Sequence, residues 1–388
     1  MLSFHHLKAA FTKIGGFAFS RPPEDVRRLR DYCEAFYAAR ADFSAKHTHL
    51  QLHITRKCMN RCGFCYYRNR EESRPEAREM PVDEAIRIID AFRQASEENG
   101  KKPAVHLIGG DPLLHPGLFK LLQHLKSHQV TTIIKGNPHL LTKETVARFI
   151  EMDAKMFQLS IDGLRDRHDA LRDSVGLFDR TLEAIRLLRA AGIRVMIRFT
   201  LSMQNRADLP LLQNLLFSQG IDCFLSAMRL VDPAAPANML NDQELTETLT
   251  GSVRIFQQHL SQDPKRTYKL AFKDHFYLPL LHRMGLIGDA FIRKAVLEKW
   301  STRCTMFEDS YIVDTDGTVR LCQKFPEAVI GKGADAITRQ LSEADCRRSF
   351  LGSLRTRCAG CYYERLCSGC PAHETVKRPG PCPLYRET

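Results

Sequence analysis

No stretch of the 388-residue sequence approaches the ~18 consecutive apolar residues of a membrane-spanning helix, so no integral membrane segment is expected. Acidic residues are absent before Glu24. The segment that precedes it mixes Lys8 and Lys13 with short apolar pieces and lacks a continuous apolar core. A secretory signal is therefore not expected, whereas the missing acids leave an organellar transit peptide open. There is no run of Lys and Arg long enough for a nucleic-acid tail, and no recognisable RNA- or DNA-binding motif, so no nucleic-acid partner is expected. The formal charge of +12 is spread along helices, where a solvated face is the ordinary explanation. Its functional counterpart would be steering of an acidic substrate, for example a negatively charged peptide.

The chain is long enough for two or three domains, and its 44% hydrophobic and 26% charged content is that of an ordinary folded protein. Thirteen cysteines without a secretory signal point to a reducing, cytoplasmic setting and to metal ligation rather than disulfides. They fall into groups. Cys58, Cys62 and Cys65 stand together. Cys304, Cys322, Cys358, Cys361, Cys367, Cys370 and Cys382 lie near the C-terminus, and Cys33, Cys223 and Cys346 are left over.

Periodicity organises the chain into four parts. Residues 1–48 form an N-terminal helical extension, with a helix over 23–41 that packs as a cap on the next segment. Residues 49–231 alternate strands (50–55, 104–108, 130–135, 156–161, 193–201, 222–230) with helices (82–98, 116–128, 142–152, 177–191, 207–219), which implies parallel βαβ units. Six repeats predict an α/β fold, a partial (β/α)6 TIM-like barrel rather than a complete eightfold one. Residues 232–300 read as a linker and a helix over 242–261 with an irregular, aromatic remainder. Residues 301–388 are rich in cysteine, glycine and proline and short of periodicity, as in a small domain organised by metal.

The centre of the chemistry is Cys58-x3-Cys62-x2-Cys65, directly after the first strand and so at the C-terminal mouth of the barrel. Three thiolates on one loop can hold three corners of a cubane iron–sulfur cluster and leave one iron free for a small molecule. The alternative is a zinc knuckle, but zinc wants a fourth ligand. His53 precedes the motif, and no Cys or His follows it closely.

This spacing, with Phe64 just before the third cysteine, resembles the radical S-adenosylmethionine (radical SAM) enzymes. The resemblance implies a [4Fe-4S] cluster on Cys58, Cys62 and Cys65. Its open iron would chelate S-adenosylmethionine and cleave it reductively to a 5′-deoxyadenosyl radical that abstracts a substrate hydrogen. Gly109-Gly110-Asp111-Pro112 resembles the family's GGE motif, with Asp in place of Glu, and its backbone would meet the cofactor's amino group. Ser160-Ile161-Asp162-Gly163 with His168-Asp169-x-x-Arg172 resembles a second family stretch. It implies that Ser160 touches the carboxylate or ribose and that Arg172 pairs with the carboxylate; an ordinary salt bridge is the alternative for Arg172. Phe64 would lie near the adenine. Lys135-Gly136-Asn137 stands where relatives often carry Thr-Asn-Gly, which leaves Asn137 without an assigned role.

The later cysteines resemble the SPASM extension, whose members carry two auxiliary iron–sulfur clusters. Carried over by position, Cys358, Cys361, Cys367 and Cys382 would hold the distal cluster, and Cys304, Cys322 and Cys370 the nearer one. Cys346 is a conceivable fourth ligand for the latter. Asp314-Thr315-Asp316-Gly317 reads as a hairpin turn presenting Cys322. Structural zinc is the alternative, since C-x2-C pairs are also zinc-ribbon spacing.

The resemblance implies oxidative modification or crosslinking of a peptide, with an external flavodoxin- or ferredoxin-like electron donor. The same radical chemistry on a small metabolite, a haem precursor or a sugar, is the second expectation. A non-catalytic zinc-stabilised binding protein is the third. Gln323 follows Cys322, where sulfatase maturases carry an acidic base, and that argues against their activity.

Overall fold

A computed structural model describes residues 24–66, 79–232, 235–272, 277–297, 310–323 and 329–342. The chain opens with α1 (Glu24–Lys46), longer than expected by a turn, which buries Leu29, Cys33, Tyr37 and Ala41 at four-residue spacing. Six strands then lie where alternation places them: β1 (His47–Thr55), β2 (Lys102–Gly109), β3 (Thr131–Lys135), β4 (Met156–Ser160), β5 (Arg194–Leu201) and β6 (Phe224–Arg229). Between them run α2 (Val82–Glu98), α3 (Leu118–Ser127), α4 (Lys143–Glu151), α6 (Leu177–Ala190) and α7 (Asp208–Ser218), with a short α5 (Arg165–Arg172) ahead of α6. All adjacent pairs from β1 to β6 are parallel.

The sheet extends beyond the six expected strands on both sides. After α8 (Asp242–Gln262), β7 (Lys269–Phe272) pairs parallel with β6. Two further helices follow, α9 (Tyr277–Arg283) and α10 (Asp289–Leu297). At the other side β8 (Ser310–Val313) pairs parallel with β1, and β9 (Thr318–Arg320) and β10 (Val329–Lys332) add antiparallel strands before α11 (Gly333–Ser342). The result is a ten-stranded, unclosed sheet in the order β10-β9-β8-β1-β2-β3-β4-β5-β6-β7. The extra strands have three or four residues each, too few to show a period in sequence. They exist because an already formed edge supplies their hydrogen-bond partners.

One sheet face is apolar. Leu50, Leu52, Leu107, Ile134, Phe157 and Ile197 are buried and share a core with helix residues such as Ile88, Phe92, Leu121 and Phe149. The other face is polar, and this is the interior of the barrel. There Lys135 donates to Gln51 Oε1 at 3.0 Å, and Arg198 donates to Ser226 Oγ at 2.6 Å. Arg198 is half-buried beside Met196, and desolvation of its guanidinium with the nearby charge of Arg40 lowers its pKa to about 10. Tyr32 of α1 closes the β7 edge: its hydroxyl donates to Leu270 O and accepts from Leu270 N, both at 3.0 Å. Among the described residues, no helix is long and apolar enough to cross a membrane.

α5 shows how tertiary contacts substitute for pattern. Its sequence, RDRHDALR, has almost no apolar face, so periodicity misses it. It is held instead by Asp208, whose Oδ2 accepts from Leu164 N at 3.0 Å and from Arg167 Nε at 3.1 Å. By contrast α8 announces itself with a capping box, Asn241 and Glu244 each accepting from the other's backbone N–H at 2.8 Å.

Candidate active site

The loop after β1 carries Cys58, Cys62 and Cys65 with free thiols, the first exposed and the other two half-buried at residue level. Burial of the Cys58 sulfur pushes its pKa up to about 11, with the Asp111, Cys62 and Cys65 charges adding to the rise. The Cys62 thiol is also raised, again mainly by desolvation, while Arg172 opposes the rise. The Cys58 and Cys62 sulfurs thus feel the charge of their neighbours in the motif. A thiolate set like this is stable only when a cation neutralises it.

The loop is clamped from two sides. On one side Gly110 N donates to Thr55 O at 2.8 Å and Asp111 N to Lys57 O at 2.7 Å. A Cβ at Gly109 would sit 2.2 Å from Thr55 O, and one at Gly110 would sit 2.3 Å from Lys57 O. The paired glycines are expected from sequence to admit a ligand; the close approach that the fold needs is to the backbone of the cysteine loop itself. On the other side the C-terminus of α5 holds the loop, Arg61 N donating to Arg172 O at 3.2 Å and Gly63 N to Leu171 O at 3.3 Å.

Arg172 is itself fixed by Asp162. The guanidinium donates through Nε and Nη2 to Asp162 Oδ2 at 2.8 and 2.5 Å, and Asp162 Oδ1 accepts from Thr200 N at 2.6 Å. Asp162 is fully buried. The fork expected to meet a cofactor carboxylate is therefore engaged within the protein, while the Arg172 Cζ stands 5.9 Å from the Phe64 ring centroid. Ser160 ends β4, half-buried, in register with Arg198 of β5.

Asp111 is completely buried. Its Oδ1 accepts from Leu113 N at 3.2 Å and Asn137 N at 3.4 Å, but Oδ2 has no hydrogen-bond partner among the described residues. Desolvation raises its pKa to about 6 from 3.8. The folded chain therefore keeps this proton where the unfolded chain has lost it. The stabilisation is full below about pH 3.8 and is lost as pH rises through about 6. Asp111→Asn should flatten that slope, removing up to about 3 kcal/mol of pH dependence between pH 4 and 6.5 in denaturant melts of metal-free protein. A variant with an unchanged slope would show that Asp111 is ionised throughout.

Asn137, left unassigned by sequence, joins this group. A Cβ at Gly136 would lie 2.8 Å from Asp111 Oδ1, so the altered Lys-Gly-Asn order lets the strand end pass close to Asp111. Asn137 Nδ2 then donates to Cys58 Sγ at 3.4 Å, and Asn137 Oδ1 accepts from Asn60 Nδ2 at 3.0 Å. Asn60 Oδ1 accepts from His139 Nε2 at 2.6 Å, and His139 Nδ1 accepts from Arg180 at 2.9 Å. An amide chain thus runs from the first sulfur to the surface. Asn60 lies inside the cysteine motif, and its burial is the signal that sequence alone could not supply.

In the tail the expected hairpin is present. Gly317 N donates to Asp314 O at 2.9 Å, Gly317 has φ +80°, and β8 and β9 flank the turn. Because β8 pairs with β1, the residues after β9 return to the barrel rim, and Gln323 Nε2 lies 3.0 Å from His53 Nε2. Cys322 is half-buried next to it. Cys304, Cys346, Cys358, Cys361, Cys367, Cys370 and Cys382 lie outside the described residues.

The donor set fits a thiolate-bound iron–sulfur cluster. Three sulfurs share one loop, residues 66–79 offer no further Cys or His, and beside Cys58 the buried Asp111 Oδ2 awaits a donor such as an ammonium group. Residues 52–215 match the Radical SAM superfamily. Over that segment the chain is similar to radical SAM domains. Over 172 residues it is 30% identical to pre-heme d1 synthase of Dinoroseobacter shibae, a match covering 44% of this chain and 41% of that enzyme's length. It is 25% identical over 339 residues to AdoMet-dependent heme synthase of Methanosarcina barkeri, covering 82% of this chain and 89% of the relative. Among solved structures, Streptococcus suis SuiB bound to precursor peptide SuiA superposes with TM-score 0.67 at 16% identity, covering 99% of this chain and 85% of SuiB. The fold is thus that of the SuiB structure, an open α/β barrel.

Proposed function

We propose that the protein is a radical SAM enzyme in which Cys58, Cys62 and Cys65 hold a [4Fe-4S] cluster and the residues around that loop hold S-adenosylmethionine. When bound, the pair supplies reductive cleavage of the sulfonium and so the hydrogen abstraction that starts the reaction. The observation that carries this reading is the cysteine loop pinned between the Gly109–Asp111 turn and the Asp162–Arg172 pair, with an unpartnered buried carboxylate oxygen beside Cys58. Asp111 Oδ2 would accept from an N–H of the cofactor's amino group, and that hydrogen bond would favour the ionised carboxylate. Asn137 orients the Cys58 sulfur, while Ser160 and Phe64 stand where the carboxylate or ribose and the adenine would lie.

The reaction is an oxidation, with the SPASM-type tail holding two auxiliary clusters on Cys304, Cys322, Cys358, Cys361, Cys367, Cys370 and Cys382. A peptide substrate is the first reading, in keeping with the SuiA-bound neighbour. A carboxylated haem precursor is the second, favoured by relatives named as haem synthases over 82% of the chain. Both accord with a barrel interior that is basic: none of β1 to β7 contains Asp or Glu, and Lys135 and Arg198 face the polar side.

Anaerobically reconstituted protein should contain more iron and sulfide than one cubane and should convert S-adenosylmethionine to 5′-deoxyadenosine under a low-potential reductant. Cys58→Ala should abolish that product while leaving the chain folded. Zinc without sulfide, or a fully iron-loaded protein that forms no 5′-deoxyadenosine, would overturn the reading. A mass change on a carboxylated porphyrin, or on a peptide encoded nearby, separates the two substrates.

A further inference from the structure

We propose that Asp90, His124 and His128 form a binding site for a zinc-class divalent transition-metal ion on the outer helical layer, apart from the cysteine loop. One ligand atom from each of the three lies within 4.8 Å of the other two. His124 and His128 are four residues apart at the end of α3, a spacing that stacks side chains on one helix face, and their ring centroids are 4.5 Å apart. Asp90 comes from α2 and brings Oδ1 to 2.8 Å from His124 Nε2.

Three further features suit a cation. His128 Nδ1 is 2.9 Å from His124 O, which places the ring proton on Nδ1 and leaves the Nε2 lone pair for a metal. Both imidazoles sit where the α3 carbonyls end, the negative pole of the helix dipole. His124 is only 19% exposed at its side chain, Asp90 is 40% exposed and His128 is exposed, so the site lies at the surface with its inner histidine shielded from water. Two imidazoles and one carboxylate match zinc, nickel or copper rather than calcium or magnesium, which prefer an all-oxygen shell. Coordination positions would remain for water.

An ion held there ties α2 to α3. The first begins just after the chain returns from the cysteine loop, and the second follows the Asp111 turn. The site would therefore brace the two connections that flank the candidate active site, without touching its chemistry.

The test is zinc titration of the anaerobically reconstituted holoprotein. Because the many cysteines also take zinc, the readout is a difference between variants with equal iron and sulfide. Wild type should take up one more equivalent of zinc than His124→Ala/His128→Ala. Zinc should raise the melting temperature of wild type and not of that double variant. Asp90→Asn should weaken the extra equivalent roughly tenfold or more while leaving the histidines in place. Cobalt bound at the same site should show ligand-field bands without sulfur charge transfer. Equal zinc uptake and equal thermal shifts in wild type and the double variant, or the same thermal shift with magnesium, would overturn the proposal. Cofactor cleavage is not a readout here, so this result stands apart from the fate of the radical SAM reading.

Discussion

Asp162→Ala is expected to lower the unfolding free energy by about 3–5 kcal/mol, because it leaves the Arg172 guanidinium buried without its carboxylate. It also removes the acceptor for Thr200 N, so the junction between β4 and β5 loosens. Arg172 is the last residue of α5, and its carbonyl with that of Leu171 grips the cysteine loop, so iron retention should fall together with stability. The measurement is a urea melt with iron quantification. Arg172→Leu added to Asp162→Ala should recover part of the loss, since removing both charges costs less than stranding one. A loss below about 1 kcal/mol in the single variant would show that the pair is screened and does not hold the loop.

Gly110→Ala should be almost as severe. The added methyl carbon would stand 2.3 Å from Lys57 O and 2.6 Å from Arg56 O, both backbone atoms that cannot turn aside. The cysteine loop must then shift, at about 3 kcal/mol or more, and the three sulfurs shift with it. Iron incorporation and 5′-deoxyadenosine formation should both collapse. Gly63, inside the cysteine motif, is the control: nothing lies within 4 Å of a Cβ there, so Gly63→Ala should change stability by less than about 0.5 kcal/mol. Equal iron loading of both variants would mean that the Gly109–Asp111 turn does not position the loop.

Both expectations rest on contacts that sequence does not display. The cysteine spacing and the Gly-Gly-Asp turn are legible because each is local, a few residues whose types alone restrict the chemistry. For Arg172 the sequence leaves a cofactor carboxylate and an ordinary salt bridge both open, and does not name the partner. Its partner is Asp162, ten positions away, and the short helix between them has no apolar stripe to reveal it. Asn137 draws no role from sequence because its neighbours stand in an unfamiliar order, yet Gly136 is what permits the approach to Asp111.

The order of strands and helices from β1 to β6 follows from sequence, since alternation of period-two and helical stretches leaves few arrangements other than parallel βαβ units. The chain by itself also sets three sulfurs on one loop with no fourth ligand close behind. Only the folded molecule decided what clamps that loop, which carboxyl oxygen is left without a partner among the described residues, and how β8 and β9 return the tail to the rim beside β1. Those outcomes depend on pairing across many residues, where strands of three or four positions gain their order from an existing edge and buried polar groups must find partners that no local pattern names.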